Sequence, residues 1–269
     1  MSDSVTPQEA YLLRQRPPED ARAVAGETAI ELSIVIPAFN EQRTLRLCLE
    51  TVERYAQSRG YTYEILIVDD GSADRTRGIA RQYMAGRNHI RLLANDQNRG
   101  KGYAVRQGML AARGNLVLFM DADLSTRPEE LDRMREWFDR GFPVVIGTRR
   151  AEGAIIARHQ SFLRETMGTI FTLLSRVLLK TPGSDFTCGF KCFRREAAQS
   201  LFSRQTLDDW SFDAEVLHIA QRRGIAVKEV PVRWTNAENS KVHIIRDAVR
   251  SFLGLLCILW KSLSGRYVR

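Results

Sequence analysis

The chain has 269 residues, 44% hydrophobic and 27% charged, with a net charge of +8. That composition leaves room for one sizeable core and excludes a disordered or fibrous chain. Four scattered cysteines (Cys48, Cys188, Cys192, Cys257) exclude a disulfide framework and are expected to be reduced thiols in a cytosolic setting.

Charge is unevenly placed. Residues 1–148 hold 20 Lys/Arg against 21 Asp/Glu, and residues 149–269 hold 20 against 11. The second half either presents a solvated basic face or meets an anionic partner.

Residues 1–30 are polar, contain Pro17-Pro18 and lack the apolar stretch of a signal peptide. A flexible arm is expected there, with a short helix around 7–15 at most. ELSIVIP (31–37) then reads as a strand closed by proline, and 41–58 carries Leu45, Leu49, Val52 and Tyr55 at helical spacing. YEILIVDD (63–70) is a second strand, with Ser72 placed to cap a helix over 73–86. IRLLAN (90–95) is a third strand, followed by a helix over 102–112. NLVLFMD (115–121) is a fourth, Pro128 starts a helix over 128–140, and FPVVIG (142–147) is a fifth strand.

Near-continuous apolar strands alternating with helices specify an α/β fold, a mostly parallel sheet sandwiched by helices. Ligands bind at the carboxyl ends of such strands. PAFNE, DDGS, NDQNRGKG, DADLS and GTRR each follow a strand, so these five polar loops should share one edge.

The texture changes beyond residue 150. Segments 162–180 and 244–263 are strongly apolar, yet neither reaches the roughly 18 uncharged residues that span a bilayer. Arg164, Arg176 and Lys180 edge the first; Arg246, Arg250 and Lys261 edge the second. Buried core helices are one reading; amphipathic helices lying in a membrane interface are the other, favoured by the basic surroundings.

Asp121 and Asp123, at i and i+2, point the same way from a strand end and repel unless a cation lies between them. Mg²⁺ or Mn²⁺, held by one or two carboxylates plus substrate phosphates, fits that need; a solvated loop pair is the plain alternative. Asp69-Asp70-Gly71-Ser72 is a turn and cap with two unexplained acids. Asn98-Arg99-Gly100-Lys101-Gly102 is a glycine turn opening a helix, which lets backbone approach a phosphate while Lys101 adds charge. It is neither a Walker A loop nor a GxGxxG fingerprint. The four histidines (His89, His159, His218, His243) show no ligand spacing, and Trp137, Trp210 and Trp234 are expected in the core, with Trp260 at an interface.

PAFNE (37–41), VDDGSADRT (68–76), NRGKG (98–102) and DADLS (121–125), in that order, resemble the inverting family 2 glycosyltransferases, which use nucleotide sugars on the GT-A fold. GTRR (147–150), SDFTCGFKCF (184–193), WSFDAEVLHIA (210–220) and VKEVPVRW with NSK (227–241) are similar to the polyprenyl-phosphate glycosyltransferases, nearest the dolichyl-phosphate β-glucosyltransferase subgroup. The resemblance covers roughly 31–262. It implies that Pro37, Phe39, Glu41, Asp70, Lys101, Asp121, Ala122 and Asp123 bind the nucleotide sugar and that Asp121 and Asp123 hold Mg²⁺ or Mn²⁺. Arg149, Arg164 and Lys241 would meet the acceptor phosphate, with Asp123, Asp185 and Arg149 the catalytic set. The implied organisation is an arm over 1–30, a GT-A domain over 31–240 (nucleotide half 31–148, acceptor half 149–240) and a C-terminal amphipathic helix over 241–269.

The activity so implied is transfer of a hexose, glucose from UDP-glucose, to dolichyl or undecaprenyl phosphate, on the cytoplasmic face of a membrane touched peripherally through 162–180 and 244–263. A GDP-mannose-dependent mannose synthase is the nearby alternative, because Phe186 and Thr187 depart from the subgroup's DTQCGFK. A family 2 enzyme with a soluble acceptor is another; it would need a carboxylate base, Asp185 or Asp213. Nucleic-acid binding, suggested by a pI near 9.6, is disfavoured because no aromatic-basic stacking motif is present.

Overall fold

The computed structural model describes residues 29–158, 160, 162–236 and 244–267, with side chains other than those of 162–164 and 244–249. The expected helix at 7–15, most of the 1–30 arm, His159, His243, Lys241 and the Arg164 side chain lie outside the described residues.

Strands β1 (Leu32–Ala38), β2 (Tyr63–Asp69), β3 (Ile90–Ala94) and β4 (Leu116–Met120) run parallel and alternate with α1 (Leu45–Ser58), α2 (Thr76–Met84) and α3 (Lys101–Ala111). A 3₁₀ turn at Pro128–Leu131 leads into α4 (Asp132–Asp139) and then β5 (Val144–Thr148). The second half adds β6 (Ile155–Arg158), α5 (Phe162–Leu179), β7 (Phe190–Arg194), α6 (Arg195–Phe202), α7 (Phe212–Arg222), β8 (Val227–Pro231), β9 (Arg233–Thr235) and α8 (Ile244–Leu263).

Seven strands form the main sheet in the order β3-β2-β1-β4-β7-β5-β8. β7 is inserted between β4 and β5 and is antiparallel to both, so β4 and β5 point the same way. β8 is parallel to β5, and β6 pairs with β9 in a separate two-stranded sheet. The five polar loops therefore do open on one edge.

The strands are apolar on both faces because both faces are covered. Ile34, Ile36, Ile65 and Ile67 meet Leu49 and Val52 of α1 and Met134 of α4. Val35, Leu66, Val68 and Phe119 meet Val105 of α3, Leu201 of α6 and Phe212 of α7. Burying a side chain of this size contributes about 1.5–3 kcal/mol. α1 starts at Leu45 and not at 41, because the Glu41 carbonyl accepts the Thr44 and Leu45 amides in a turn.

α5 and α8 pack on each other, and Leu255 and Ile258 bury α8 against the domain. The seam includes His218 of α7, whose Nδ1 lies 2.9 Å from Thr181 Oγ1 and whose Nε2 lies 2.8 Å from Ser262 Oγ. Burial, reinforced by Arg222, pushes this imidazole down to about 4. The native state then binds fewer protons than the unfolded chain below the ordinary histidine value. Stability from this group is complete above pH 6.5 and falls by about 3 kcal/mol as pH drops toward 4. Urea midpoints of wild type and His218→Gln across that range should converge on acidification, and parallel curves would refute the assignment.

Candidate active site

β4 delivers Met120 to the sheet edge and the chain then turns through Asp121, Ala122 and Asp123. The Asp121 amide donates to the Gly189 carbonyl (3.1 Å), anchoring the turn to the segment before β7. Gly189 leaves room for the Asp121 carboxylate: a Cβ there would stand 1.9 Å from Asp121 Oδ2 and would displace it. The Ser125 amide donates to Asp123 Oδ1 (2.9 Å), and the intervening Leu124 is forced to φ +57°. A branched side chain in the left-handed region is strained and persists only where the surroundings impose it. Burial first, and then Asp121, push the Asp123 carboxyl above its usual range. Ala122 buries its side chain in the core and offers the site only backbone.

Lys101 Nζ lies 2.7 Å from Asp121 Oδ1 and 4.7 Å from the centre of the Trp210 ring. Trp210 is not a core residue as expected; it is 41% exposed at the rim of the acid pair. Its only sequence signal is its place just before the FDAE segment.

Asp70 is buried and closed on the neighbouring turn. Its Oδ1 accepts Asn95 Nδ2 (2.8 Å) and the Arg99 amide (3.0 Å), and its Oδ2 accepts the Gly100 amide (2.8 Å). It fixes the glycine turn that carries Lys101. The first loop is laced to the second: the Asn40 amide donates to Ser72 Oγ (2.9 Å), and Asn40 Oδ1 accepts the Ala73 amide (2.9 Å). Pro37, Phe39 and Glu41 line that loop, all partly exposed. Buried Cys48 lies beneath the cluster, its thiol pushed up by burial and then by Asp123, Glu41 and Asp121.

After β5 the chain places Arg149 against Asp185. Arg149 Nε donates to Asp185 Oδ2 (2.6 Å) and Nη2 to Oδ1 (2.8 Å), with a further bond from Nη2 to Thr187 Oγ1 (2.8 Å). Asp185 is fully buried, and although burial opposes it, Arg149 pulls its carboxyl down to about 2. Asp213, the other candidate base, is buried 2.6 Å from Lys191 Nζ, which also donates to the Cys188 (2.6 Å) and Phe186 (3.1 Å) carbonyls. Both carboxylates that the sequence offers as a general base are thus locked in ion pairs.

Among the described residues no three His, Cys, Asp or Glu side chains gather as a ligand set. Asp121 and Asp123 alone present hard oxygens from one turn, with Asp123 destabilised as an anion by its neighbour. That donor set suits Mg²⁺ or Mn²⁺ shared with a diphosphate, and does not suit a closed structural metal.

An acid-bearing β-edge beside a glycine turn with a lysine, on a sheet with one inserted antiparallel strand, defines a GT-A glycosyltransferase. Residues 33–202 match the model for "Glycosyl transferase family 2", and the chain belongs to that family. It is 33% identical over 255 residues to a dolichyl-phosphate beta-glucosyltransferase of Dictyostelium discoideum, covering 87% of this chain and 78% of that one. The Drosophila melanogaster protein of that name is 37% identical over 230 residues, covering 80% and 70%. Among solved structures, the fold is similar to glucosyl-3-phosphoglycerate synthase from Mycobacterium tuberculosis in complex with Mn²⁺, UDP-glucose and phosphoglyceric acid. That match has a TM-score of 0.66 and 19% identity, covering 86% of this chain and 80% of that one.

Proposed function

We propose that the protein transfers glucose from UDP-glucose to a polyprenyl phosphate, dolichyl or undecaprenyl, at a membrane surface. The observation that carries this reading is the pairing of Asp185 with Arg149 and of Asp213 with Lys191. An alcohol acceptor would need a free carboxylate to take its proton. A phosphate monoester, with a second pKa near 6, is already anionic at pH 7 and needs positioning alone. The names of the relatives point to the same acceptor class.

Asp121 and Asp123 would hold Mg²⁺ or Mn²⁺, which when bound supplies Lewis-acid stabilisation of the departing diphosphate. Lys101, fixed beside Asp121, adds a cation on the donor side. Arg149, with Arg164 and Lys241, would face the acceptor phosphate. The Nε–Nη2 edge of Arg149 is already engaged by Asp185, which largely cancels its charge, so its contribution would be a hydrogen bond from the remaining Nη1 side. Pro37, Phe39, Glu41 and the Asp70-anchored turn would frame the nucleotide.

The membrane contact falls to α5 and α8. Ile170, Leu173 and Val177 of α5 and Phe252, Leu253, Leu256, Trp260 and Leu263 of α8 are exposed apolar residues on two helices packed together. Arg176, Lys180 and Arg250 are exposed beside them, the signs expected for an anionic bilayer surface. Lys261 departs from the expected edge role: it is buried, with Nζ on Thr206 Oγ1. No helix among the described residues is long and apolar enough to cross a membrane. The surface so met would be the cytoplasmic face.

A panel of radiolabelled UDP- and GDP-sugars against dolichyl and undecaprenyl phosphate tests the reading. Label should enter the organic phase with UDP-glucose and a polyprenyl phosphate. Label that stays aqueous with every acceptor would overturn it, and transfer from GDP-mannose alone would move it to the mannosyl class.

A further inference from the structure

We propose that Glu215 is a positioning residue that, with Tyr267, holds the Lys101 turn in register, so that the seat of α8 sets the donor-phosphate site. The proposal rests on reading that turn as the donor-phosphate site.

Glu215 lies on α7, fully buried, and no step above uses it. A buried carboxylate persists only if its oxygens are satisfied. Here four donors converge on it. Oε2 accepts the Thr206 (2.9 Å) and Leu207 (2.8 Å) amides; Oε1 accepts Thr206 Oγ1 (2.6 Å) and Tyr267 Oη (2.7 Å). Glu215 therefore fixes the irregular loop between α6 and α7 from within.

That loop is pressed against the Lys101 turn, backbone to backbone. A Cβ at Gly100 would lie 2.3 Å from the Asp208 carbonyl, and one at Gly102 would lie 2.6 Å from the Leu207 carbonyl. The Tyr103 amide donates to the Asp208 carbonyl (3.3 Å), and Gln205 Nε2 donates to the Gly102 carbonyl (2.9 Å). With Asp70 also holding the Arg99 and Gly100 amides, the turn that carries Lys101 toward Asp121 has two supports.

The second support also bears on the C-terminal helix. Lys261 Nζ reaches Thr206 Oγ1, Tyr267 closes on Glu215, and Gly254 faces Ser211 so closely that a Cβ would stand 2.1 Å from Ser211 Oγ. A continuous set of polar and close contacts thus runs from α8 through Glu215 to Lys101. Such a set couples two places only if both bias the same element, here the 98–103 turn.

The experiment uses the full chain carrying Tyr267→Phe, Glu215→Gln or Lys101→Met, alone and with each of the first two combined with the third. Two quantities are read: amide exchange at residues 99–103 without ligand, and the dissociation constant of UDP with Mn²⁺. Tyr267→Phe should speed exchange at 99–103 and weaken UDP about fivefold, the worth of one net hydrogen bond, with Glu215→Gln weakening it further. In the Lys101→Met background both effects on UDP should vanish, because the path ends at that ammonium. Additive losses, or unchanged exchange at 99–103 in a folded Tyr267→Phe protein, would overturn the proposal. If wild type binds no UDP, the donor reading falls instead, and the exchange arm alone decides the positioning claim.

Discussion

Asp123→Asn is expected to lower kcat at least about 10³-fold at every Mg²⁺ or Mn²⁺ concentration, roughly 4 kcal/mol of transition-state stabilisation. The substitution isolates charge from shape. Asparagine keeps the oxygen that accepts the Ser125 amide, so the turn and the strained Leu124 stay in place. What is lost is one of two anions that push against each other on a single turn, and that repulsion is what a divalent cation relieves. Thermal melts should change little or rise, since removing one of two like charges relaxes the apo site. Steady-state rates over a Mn²⁺ titration provide the check. Near-wild-type transfer by the variant, or full wild-type transfer in EDTA, would sink the metal assignment.

The nucleotide half was legible in the sequence because each of its strands is a continuous apolar run ending in a polar cluster. β1, β2, β3, β4 and β5 fall within two residues of their expected bounds. The second half was opaque for a physical reason. β7, FKCFR, is five residues long and carries Lys191 at its second position, which breaks the apolar run that marks a buried strand. Lys191 is tolerated there because Asp213 and two carbonyls enclose its ammonium, a partner 22 positions away that no local pattern reveals. Trp210 escaped for the opposite reason: a tryptophan beside an apolar helix reads as core, and only the loop geometry leaves it half-exposed over Lys101. Lys261 likewise reads as an edge cation until Thr206 is seen to take it inward.

The acidic residues show the same division. Asp121 and Asp123, at i, i+2 spacing after a strand, are the pair the sequence offers as metal ligands, although Lys101 and the Ser125 amide each take one of their oxygens. Asp70, Asp185, Asp213 and Glu215 are equally acidic in sequence, yet each is an internal anchor, taken respectively by turn amides, an arginine, a lysine and a loop with a tyrosine. A carboxylate's role follows from what already occupies its lone pairs, and that is a property of the fold.

Arg149→Met should show how far that argument extends. Asp185 is fully buried, and a carboxyl held at about 2 owes that value first to the Arg149 guanidinium. Removing the partner leaves an uncompensated buried charge, so a loss of about 3–5 kcal/mol in unfolding free energy is expected. The folded carboxyl lies below its ordinary value, so about 2 kcal/mol of stability in the wild type is complete above pH 4 and is lost as pH falls toward 2. The double variant Arg149→Met with Asp185→Leu removes both charges. It should regain most of the lost stability, because paired apolar replacement of a buried ion pair is often neutral. Transfer should not return with it, because the acceptor phosphate then loses the Arg149 donor beside β5. Urea midpoints and acceptor KM, measured on the single and double variants, separate the two effects. A double variant that is both stable and active would make the pair purely structural, and would reopen the case for an acceptor that brings its own proton.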